Sequence, residues 1–183
     1  MATPTKAEIR RAFRELPPLP PDVRGEMSAQ LCAALAAMPA WHAARTVALF
    51  APLPSEPDVE GLWAYLAGKR AAYPRMAGET FALYAVESPY ELVPAQWGIR
   101  EPRPERLVSP AEVDFVVIPG VAFTRDGARC GRGKGFYDRF LAELSPAACK
   151  TGACFARQLV AELPMEPHDV RMDFVVTEAG VAG

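Results

Sequence analysis

Histidine is nearly missing from this chain: its 183 residues contain two, His42 and His168. No H-E-x-x-H pair can grip zinc, and little imidazole is left for a nucleophile–base triad, so the chemistry must rest on lysine, arginine and carboxylates. The four cysteines, Cys32, Cys130, Cys149 and Cys154, show no C-x-x-C spacing. Neither a zinc site nor a disulfide framework is indicated, and reduced thiols are expected. An excess of either charge is missing too. Lys and Arg number 20 against 22 Asp and Glu, a net charge of -2, so no global field gathers nucleic acid or an anionic membrane and neither is expected as a partner. Any anion site must be local. Apolar runs are short; none approaches a membrane span, and the first thirty residues, punctuated by Lys6, Arg10, Arg11, Arg14 and Arg24, hold no signal h-region. A cytoplasmic protein is expected. With 50% hydrophobic residues, a chain of this length can bury about two-thirds of its unfolded surface, so residues 1–183 read as one domain.

Apolar periodicity sets the expected elements. Thr5-Lys6-Ala7-Glu8 has the form of a capping box, and Ile9, Phe13 and Leu16 follow at helical spacing, predicting a helix over 6–16 that the run Leu16-Pro-Pro-Leu-Pro-Pro21 ends. A second helix over 22–38 carries Val23, Met27, Leu31 and Leu35 on one face. Thr46-Val-Ala-Leu-Phe50 reads as a strand buried on both faces, 58–69 as a helix, and 70–75 and 80–86 as strands separated by a turn at Gly78. Residues 88–110 hold five prolines and little periodicity, which suits a functional surface loop or a loosely ordered one. The strongest strand, 113–119, feeds a glycine-rich loop and a helix over 135–144. A strand over 151–155, a short helix over 156–163 and a strand over 173–177 complete the alternation. The fold class is therefore α/β: a single three-layer domain with a mostly parallel central sheet, helices on both faces, and ligands outside the carboxyl ends of the strands.

The glycine-rich loop is the chemically informative segment. From Gly127 to Asp138, four glycines (Gly127, Gly131, Gly133 and Gly135) sit with Arg129, Arg132 and Lys134 between a buried strand and a helix start. Glycines let backbone amides curl around an anion, and the helix N-terminus and cations add positive charge, so a polyphosphate is the natural ligand; a flexible turn with a solvated basic face is the plainer alternative. Two familiar phosphate motifs are excluded. A Walker A loop ending at Gly133-Lys134 would need glycine at Ala128 and Ser or Thr at Gly135, and a dinucleotide fingerprint starting at Gly131 would need glycine at Phe136.

Pro119-Gly-Val-Ala-Phe123, followed by Gly127-x-Arg129-x-Gly131-Arg-Gly-Lys-Gly-Phe-Tyr-Asp-Arg139, resembles the signature segment of the 5-formyltetrahydrofolate cyclo-ligases. The resemblance covers nearly the whole chain: Lys6 and Arg10 match the family's N-terminal K-x-x-x-R, Pro54-Ser-Glu56-Pro-Asp58 its substrate segment, Trp97-Gly-Ile-x-Glu-Pro102 its G-I-x-E-P loop, and His168-Asp169 with Met172-Asp173 its C-terminal segment. It implies conversion of 5-formyltetrahydrofolate to 5,10-methenyltetrahydrofolate, dependent on ATP and Mg²⁺, with a reduced folate as substrate. By resemblance, Lys134, Arg132 and Arg129 are the catalytic cations. Lys6, Arg10, Arg129, Gly131, Arg132, Gly133, Lys134, Gly135, Phe136 and Tyr137 bind the nucleotide. Asp138 and Asp169 hold Mg²⁺, whose preference for a few hard oxygen ligands two aspartates satisfy.

Folate is assigned to Glu56, Trp97, Tyr137 and Arg75. Glu56 suits the polar edge of the pterin, where one carboxylate can accept from two N–H donors; Trp97 is either a cover for the ring system or a core residue; Arg75 is either a ligand for a phosphate or the glutamate tail, or solvated. Ordinary structural roles stand beside these, a helix first-turn acid for Asp138 and a surface turn for Asp169. Lys150 is either a phosphate ligand or a surface lysine. Cys130 stands where the family usually has Leu, and if exposed between Arg129 and Arg132 its thiol pKa would be lowered and its oxidation would disturb ATP binding. Thr124 replaces the common Asp, and Phe136 the common Tyr. A monomer is expected. The competing functions are a folate- or nucleotide-binding protein without turnover and another ATP-dependent phosphotransferase on the same fold.

Overall fold

The structure, a computed structural model, describes residues 4–78 and 80–182; Glu79, in the expected turn at Gly78, and the residues at the two ends of the expected domain lie outside them. Helix α1 (Lys6–Glu15) starts on a complete capping box: the Thr5 hydroxyl accepts from the Glu8 amide at 3.3 Å, and the Glu8 carboxylate accepts from the Thr5 amide at 2.8 Å. Two donors without intrahelical partners are thereby satisfied. The proline run ends α1, and Pro21 then opens α2 (Pro21–Ala36) at the first helical position, where its missing N–H costs nothing. A short α3 (Pro39–Ala43) follows.

The strands are β1 (Thr46–Ala48), β2 (Arg70–Ala77), β3 (Thr80–Val86), β4 (Val93–Pro94), β5 (Arg100–Glu101), β6 (Leu107–Val108), β7 (Phe115–Ile118), β8 (Ala122–Phe123), β9 (Arg129–Cys130), β10 (Cys149–Ala153), β11 (Phe174–Thr177) and β12 (Gly180–Val181), with α4 (Phe136–Glu143) between β9 and β10. Eight of them form one sheet in the order β12-β11-β10-β7-β1-β2-β3-β6. The inner strands from β11 to β2 pair in parallel, and β12, β3 and β6 add antiparallel edges. From β1 the chain builds outward to β2 on one side and, later, to β7 on the other. The carboxyl ends of β1 and β7 therefore flank a topological switch point, where an open α/β sheet leaves a crevice.

Every residue of β1 and β7 is buried, because both faces are covered. Alternation sends Val47, Phe115 and Val117 to one face, against Leu31 and Leu35 of α2, Trp41 of α3 and Leu62; Ala48, Val116 and Ile118 go to the other, against Phe140 and Leu141 of α4. Trp41 meets Phe115 edge-on at 5.5 Å. Helix α1 joins neither layer. Its Ile9 packs on the β8–β9 hairpin against Ala122, Ala128 and Cys130, which lays the helix across the end of the sheet.

Two expectations need correction, and one open alternative is decided. The helix over 58–69 is a 3₁₀ helix (Val59–Tyr65): Gly61 lowers helical propensity, and Ala67 and Gly68, both at positive φ, end the segment early. The helix over 156–163 shrinks to a 3₁₀ turn (Ala156–Gln158), since the Val160 amide is taken by the Phe123 carbonyl at 2.8 Å and the chain joins β8 instead. Residues 88–110 are ordered, forming the β4–β5 hairpin, β6 and two 3₁₀ turns.

Phe123 fixes how closely β7 and β10 approach it. A Cβ added at Gly152 would lie 2.5 Å from a carbon of its ring, and that ring is wholly buried. Overpacking of this kind costs about 1–3 kcal/mol. Gly152→Ala should lower the unfolding free energy in urea by about that amount with an unchanged m-value.

Candidate active site

A cleft of about 470 Å³ opens at the switch point. Its floor is the chain just past β1 and β7, Phe50-Ala51 and Pro119-Gly120; residues 131–138 form one wall, Pro74, Met76 and Phe81 with Trp97 a second, and Lys6, Arg10 and Asp169 a third. The resemblance-based nucleotide residues, Lys6, Arg10, Arg129, Gly131, Arg132, Gly133, Lys134, Gly135, Phe136 and Tyr137, all line it, as do Glu56, Trp97, Asp138 and Asp169. Arg75 does not. Strand alternation puts Pro74 and Met76 on the cleft side of β2 and turns Arg75 away, where it donates to the Pro102 carbonyl at 2.9 Å. Lys150 is also elsewhere, donating to the Ala148 carbonyl at 3.3 Å.

Within residues 131–138 the loop's path depends on glycine at two points. Gly133 and Gly135 adopt φ of 96° and 68°, the left-handed region that side chains disfavour, and a Cβ on Gly133 would sit 3.3 Å from the Arg10 guanidinium. Arg10 reaches this close because its Nε donates to the Gly131 carbonyl at 2.8 Å. Helix α4 begins directly after Gly135 with no side-chain cap, leaving the positive end of its dipole at the loop.

Each acid assigned from the sequence stands against a cation assigned from the sequence. Arg132 holds Glu56 by Nη2 at 2.9 Å and Nε at 3.2 Å, and the second Glu56 oxygen accepts from the Leu53 amide at 3.0 Å. Arg129, only 4% of its side chain exposed, donates Nη2 to Asp138 at 2.8 Å and Nη1 to the Pro119 carbonyl at 3.3 Å. Its buried Nε has no hydrogen-bond partner among the described residues. Lys6 contacts Asp169 and lies 3.3 Å from Glu166. Burial would lower the Lys6 pKa, but Asp169 and Glu166 outweigh it and hold the ammonium above its ordinary range. Burial would raise Asp169, but the Glu166 amide and Lys6 prevail and hold its carboxyl below the ordinary range.

Tyr137 lies with its ring 5.5 Å from the Arg129 guanidinium and edge-on to Phe81 at 4.9 Å. Burial, reinforced by the Glu56 charge, pushes its phenol pKa up, so its hydroxyl stays a donor at neutral pH. The Lys134 ammonium is 6.0 Å from the centre of the Trp97 ring. Trp97 itself is 64% exposed, which removes the core alternative.

Cys130 reverses its expectation. It is fully buried beside Ile9 and Ala128, because strand β9 turns it inward while Arg129 faces the cleft. Burial raises its thiol pKa despite the nearby charges of Arg10, Lys6 and Arg129, so a reactive thiolate is not formed there. Thr124 fills its turn by accepting from the Ala128 amide at 2.9 Å and donating to Asp126.

Glu166 went unnoticed in the sequence. Its carboxylate, the His168 ring and Asp169 bring ligand atoms within 4.8 Å of one another, through a turn in which the Asp169 amide donates to the Glu166 carbonyl at 3.0 Å. The available signal was the E-x-H-D spacing. As donors for Mg²⁺, Asp138 and Asp169 fit chemically: both are carboxylates on the cleft wall, each balanced by one cation that a phosphate would draw away. Glu101, also unassigned, lines the cleft from the G-I-x-E-P segment.

A cation-edged cleft at the switch point of a mostly parallel α/β sheet defines, as a class, an enzyme that handles a polyphosphate. A model of the 5-formyltetrahydrofolate cyclo-ligase family matches residues 2–178. A 5-formyltetrahydrofolate cyclo-ligase of Mycolicibacterium smegmatis is 36% identical over 142 residues, covering 73% of this chain and 73% of that protein. One from Escherichia coli K12 is 35% identical over 175 residues, covering 89% and 94%. The NMR structure of Aquifex aeolicus 5,10-methenyltetrahydrofolate synthetase matches with a TM-score of 0.85 at 33% identity, over 96% of this chain and 91% of that one. The chain belongs to the 5-formyltetrahydrofolate cyclo-ligase family and is a ligase of folate and one-carbon metabolism, a family that uses ATP. Among the described residues no helix is long and apolar enough to cross a membrane.

The Lys6–Asp169 pair makes a pH prediction. Asp169, with its folded pKa depressed, contributes stability that is full above its unfolded value of about 3.9 and fades as pH falls through the folded one; Lys6, with its folded pKa raised, contributes fully below about 10.4 and fades as pH rises beyond it. In metal-free buffer, Asp169→Asn should lower the urea midpoint at neutral pH and flatten its decline below pH 4 relative to the unsubstituted protein.

Proposed function

We propose that this cleft converts 5-formyltetrahydrofolate to 5,10-methenyltetrahydrofolate with ATP and Mg²⁺, releasing ADP and phosphate. The observation that carries the reading is the convergence of three acid–cation pairs, Glu56–Arg132, Asp138–Arg129 and Asp169–Lys6, on one cleft. ATP phosphates compete for the cations, and each cation drawn to a phosphate releases a carboxylate. Glu56 is then free for the N–H donors of the pterin, and Asp138 and Asp169 for the metal.

The formyl oxygen is a poor leaving group, so the formamide oxygen attacks the γ-phosphorus and the bond to ADP breaks. N10 of the folate then attacks the activated carbon and loses its proton, and phosphate departs with the C–O electron pair. Such transfer needs positioning and charge neutralisation more than covalent help. Arg129, Arg132 and Lys134 neutralise the phosphoryl oxygens, Lys6 and Arg10 steady the remaining phosphates, and the amides of Gly131, Gly133 and Gly135 with the start of α4 complete the cradle. Phe136 and Tyr137 line the junction of the two substrates. Mg²⁺ held by Asp138 and Asp169 would neutralise phosphate charge. Trp97 covers the folate ring, and Arg75 acts from outside the cleft lining.

We assign a monomer acting as a single folding unit over 1–183. The four free cysteines suit a reducing compartment, and we assign the cytoplasm. The test is the near-ultraviolet band of the methenyl product, followed after mixing protein, 5-formyltetrahydrofolate, ATP and Mg²⁺, with ATP-free and EDTA controls. A flat trace overturns the reading. Lys134→Ala should lower kcat by about 10²–10³-fold while leaving the circular dichroism unchanged, since Lys134 is exposed. The competition for cations also predicts coupling. A non-hydrolysable ATP analogue should tighten folate binding by about 5–150-fold in calorimetry, and equal affinity with and without it would show that the pairs do not exchange.

A further inference from the structure

The wall that carries Trp97 is attached to the sheet by a contact that no assigned residue explains. The β4–β5 hairpin lies outside the main sheet, and its tip is bent: Trp97 has φ 58° and Gly98 φ 74°. Strand β2 pairs with β1 only from Arg70 to Ala72, so the Met76 amide on that side has no strand neighbour. Glu101, at the end of β5 and 7% exposed, fills the gap; its Oε1 accepts from the Met76 amide at 3.2 Å. Its Oε2 lies 3.7 Å from Arg75 Nη1, and the same nitrogen donates to the Pro102 carbonyl at 2.9 Å. A buried carboxylate without partners would be costly, and here both its oxygens are used to join two segments. Met76 lines the cleft, so the joint sets the spacing between the β2 wall and the Trp97 wall.

We infer that Glu101, braced by Arg75, is a positioning residue for the folate ring: it locks the β4–β5 hairpin to β2 and so holds Trp97 over the cleft. This rests on the assignment of Trp97 to the folate ring. The charge of Arg75, turned away from the cleft lining, thereby acts on the substrate through Glu101 and the hairpin. Charge is secondary to the amide contact, since the Arg75 side chain is 35% exposed and its pair with Glu101 is long.

The experiment is a double-mutant cycle on the active enzyme, with KM for folate, KM for ATP and kcat measured for each variant. Glu101→Ala should raise the folate KM by about tenfold, the usual scale for a buried hydrogen bond lost, with the ATP KM within about twofold of its starting value. Glu101→Gln keeps an oxygen for the Met76 amide and should recover most of the loss; if it is as impaired as the alanine variant, Glu101 touches substrate directly and the positioning role is overturned. Trp97→Ala should raise the folate KM on its own. In that background Glu101→Ala should add little, because both changes remove one interaction; full additivity sinks the proposal. If Trp97→Ala leaves the folate KM unchanged, the assignment of Trp97 to the ring fails instead. A drop in thermal stability of Glu101→Ala with all kinetic constants unchanged leaves Glu101 a purely structural residue and also overturns the inference.

Discussion

Charges gathered in a half-buried cleft have to neutralise one another, and that constraint shapes the rest of the site. Arg129 keeps only 4% of its side chain exposed, Asp169 6% and Glu56 8%; none of them tolerates such surroundings alone. Pairing each acid with a cation solves the problem in the free protein. In the proposed reaction the phosphates of ATP compete with the carboxylates for the same cations. The same contacts tie distant segments together: Lys6 of α1 reaches Asp169 near the C-terminus, and Arg132 of the loop reaches Glu56 past β1.

The sheet supplies the place where this can happen. Parallel strands with their carboxyl ends at one edge leave a crevice between β1 and β7, and the two covered faces make those strands rigid enough to hold its floor. Helix α1, packed on the β8–β9 hairpin rather than on the sheet, brings Lys6 and Arg10 over the opening. The β4–β5 hairpin does the same for Trp97 from the opposite side, through the joint at Glu101.

Much of this was legible because it is local. The capping box at Thr5, the buried strands β1 and β7 and the order loop-then-helix after Gly131 follow from rules that act over a few residues. The long signature around Gly131 to Arg139 announced both the cradle and its family. Short-range rules failed where distant partners intervened. Val160 gave its amide to β8 and ended a helix early, and the five prolines of 88–110 concealed an ordered hairpin whose anchoring partner, β2, is far away in the chain.

The sequence by itself determined the mostly parallel α/β class and the glycine loop with its cations, since residue type, period and spacing are enough for each, whereas the acids that face them were marked only by the resemblance to the family. Only the tertiary structure decided which cation meets which acid, that Arg75 points away from the cleft lining, that Cys130 is sealed from solvent and that Trp97 stands open at its mouth. Those outcomes turn on which face of a short strand or hairpin a residue occupies. A single residue's shift in register reverses that face, and the packing of segments far apart in the chain, rather than local preference, sets the register.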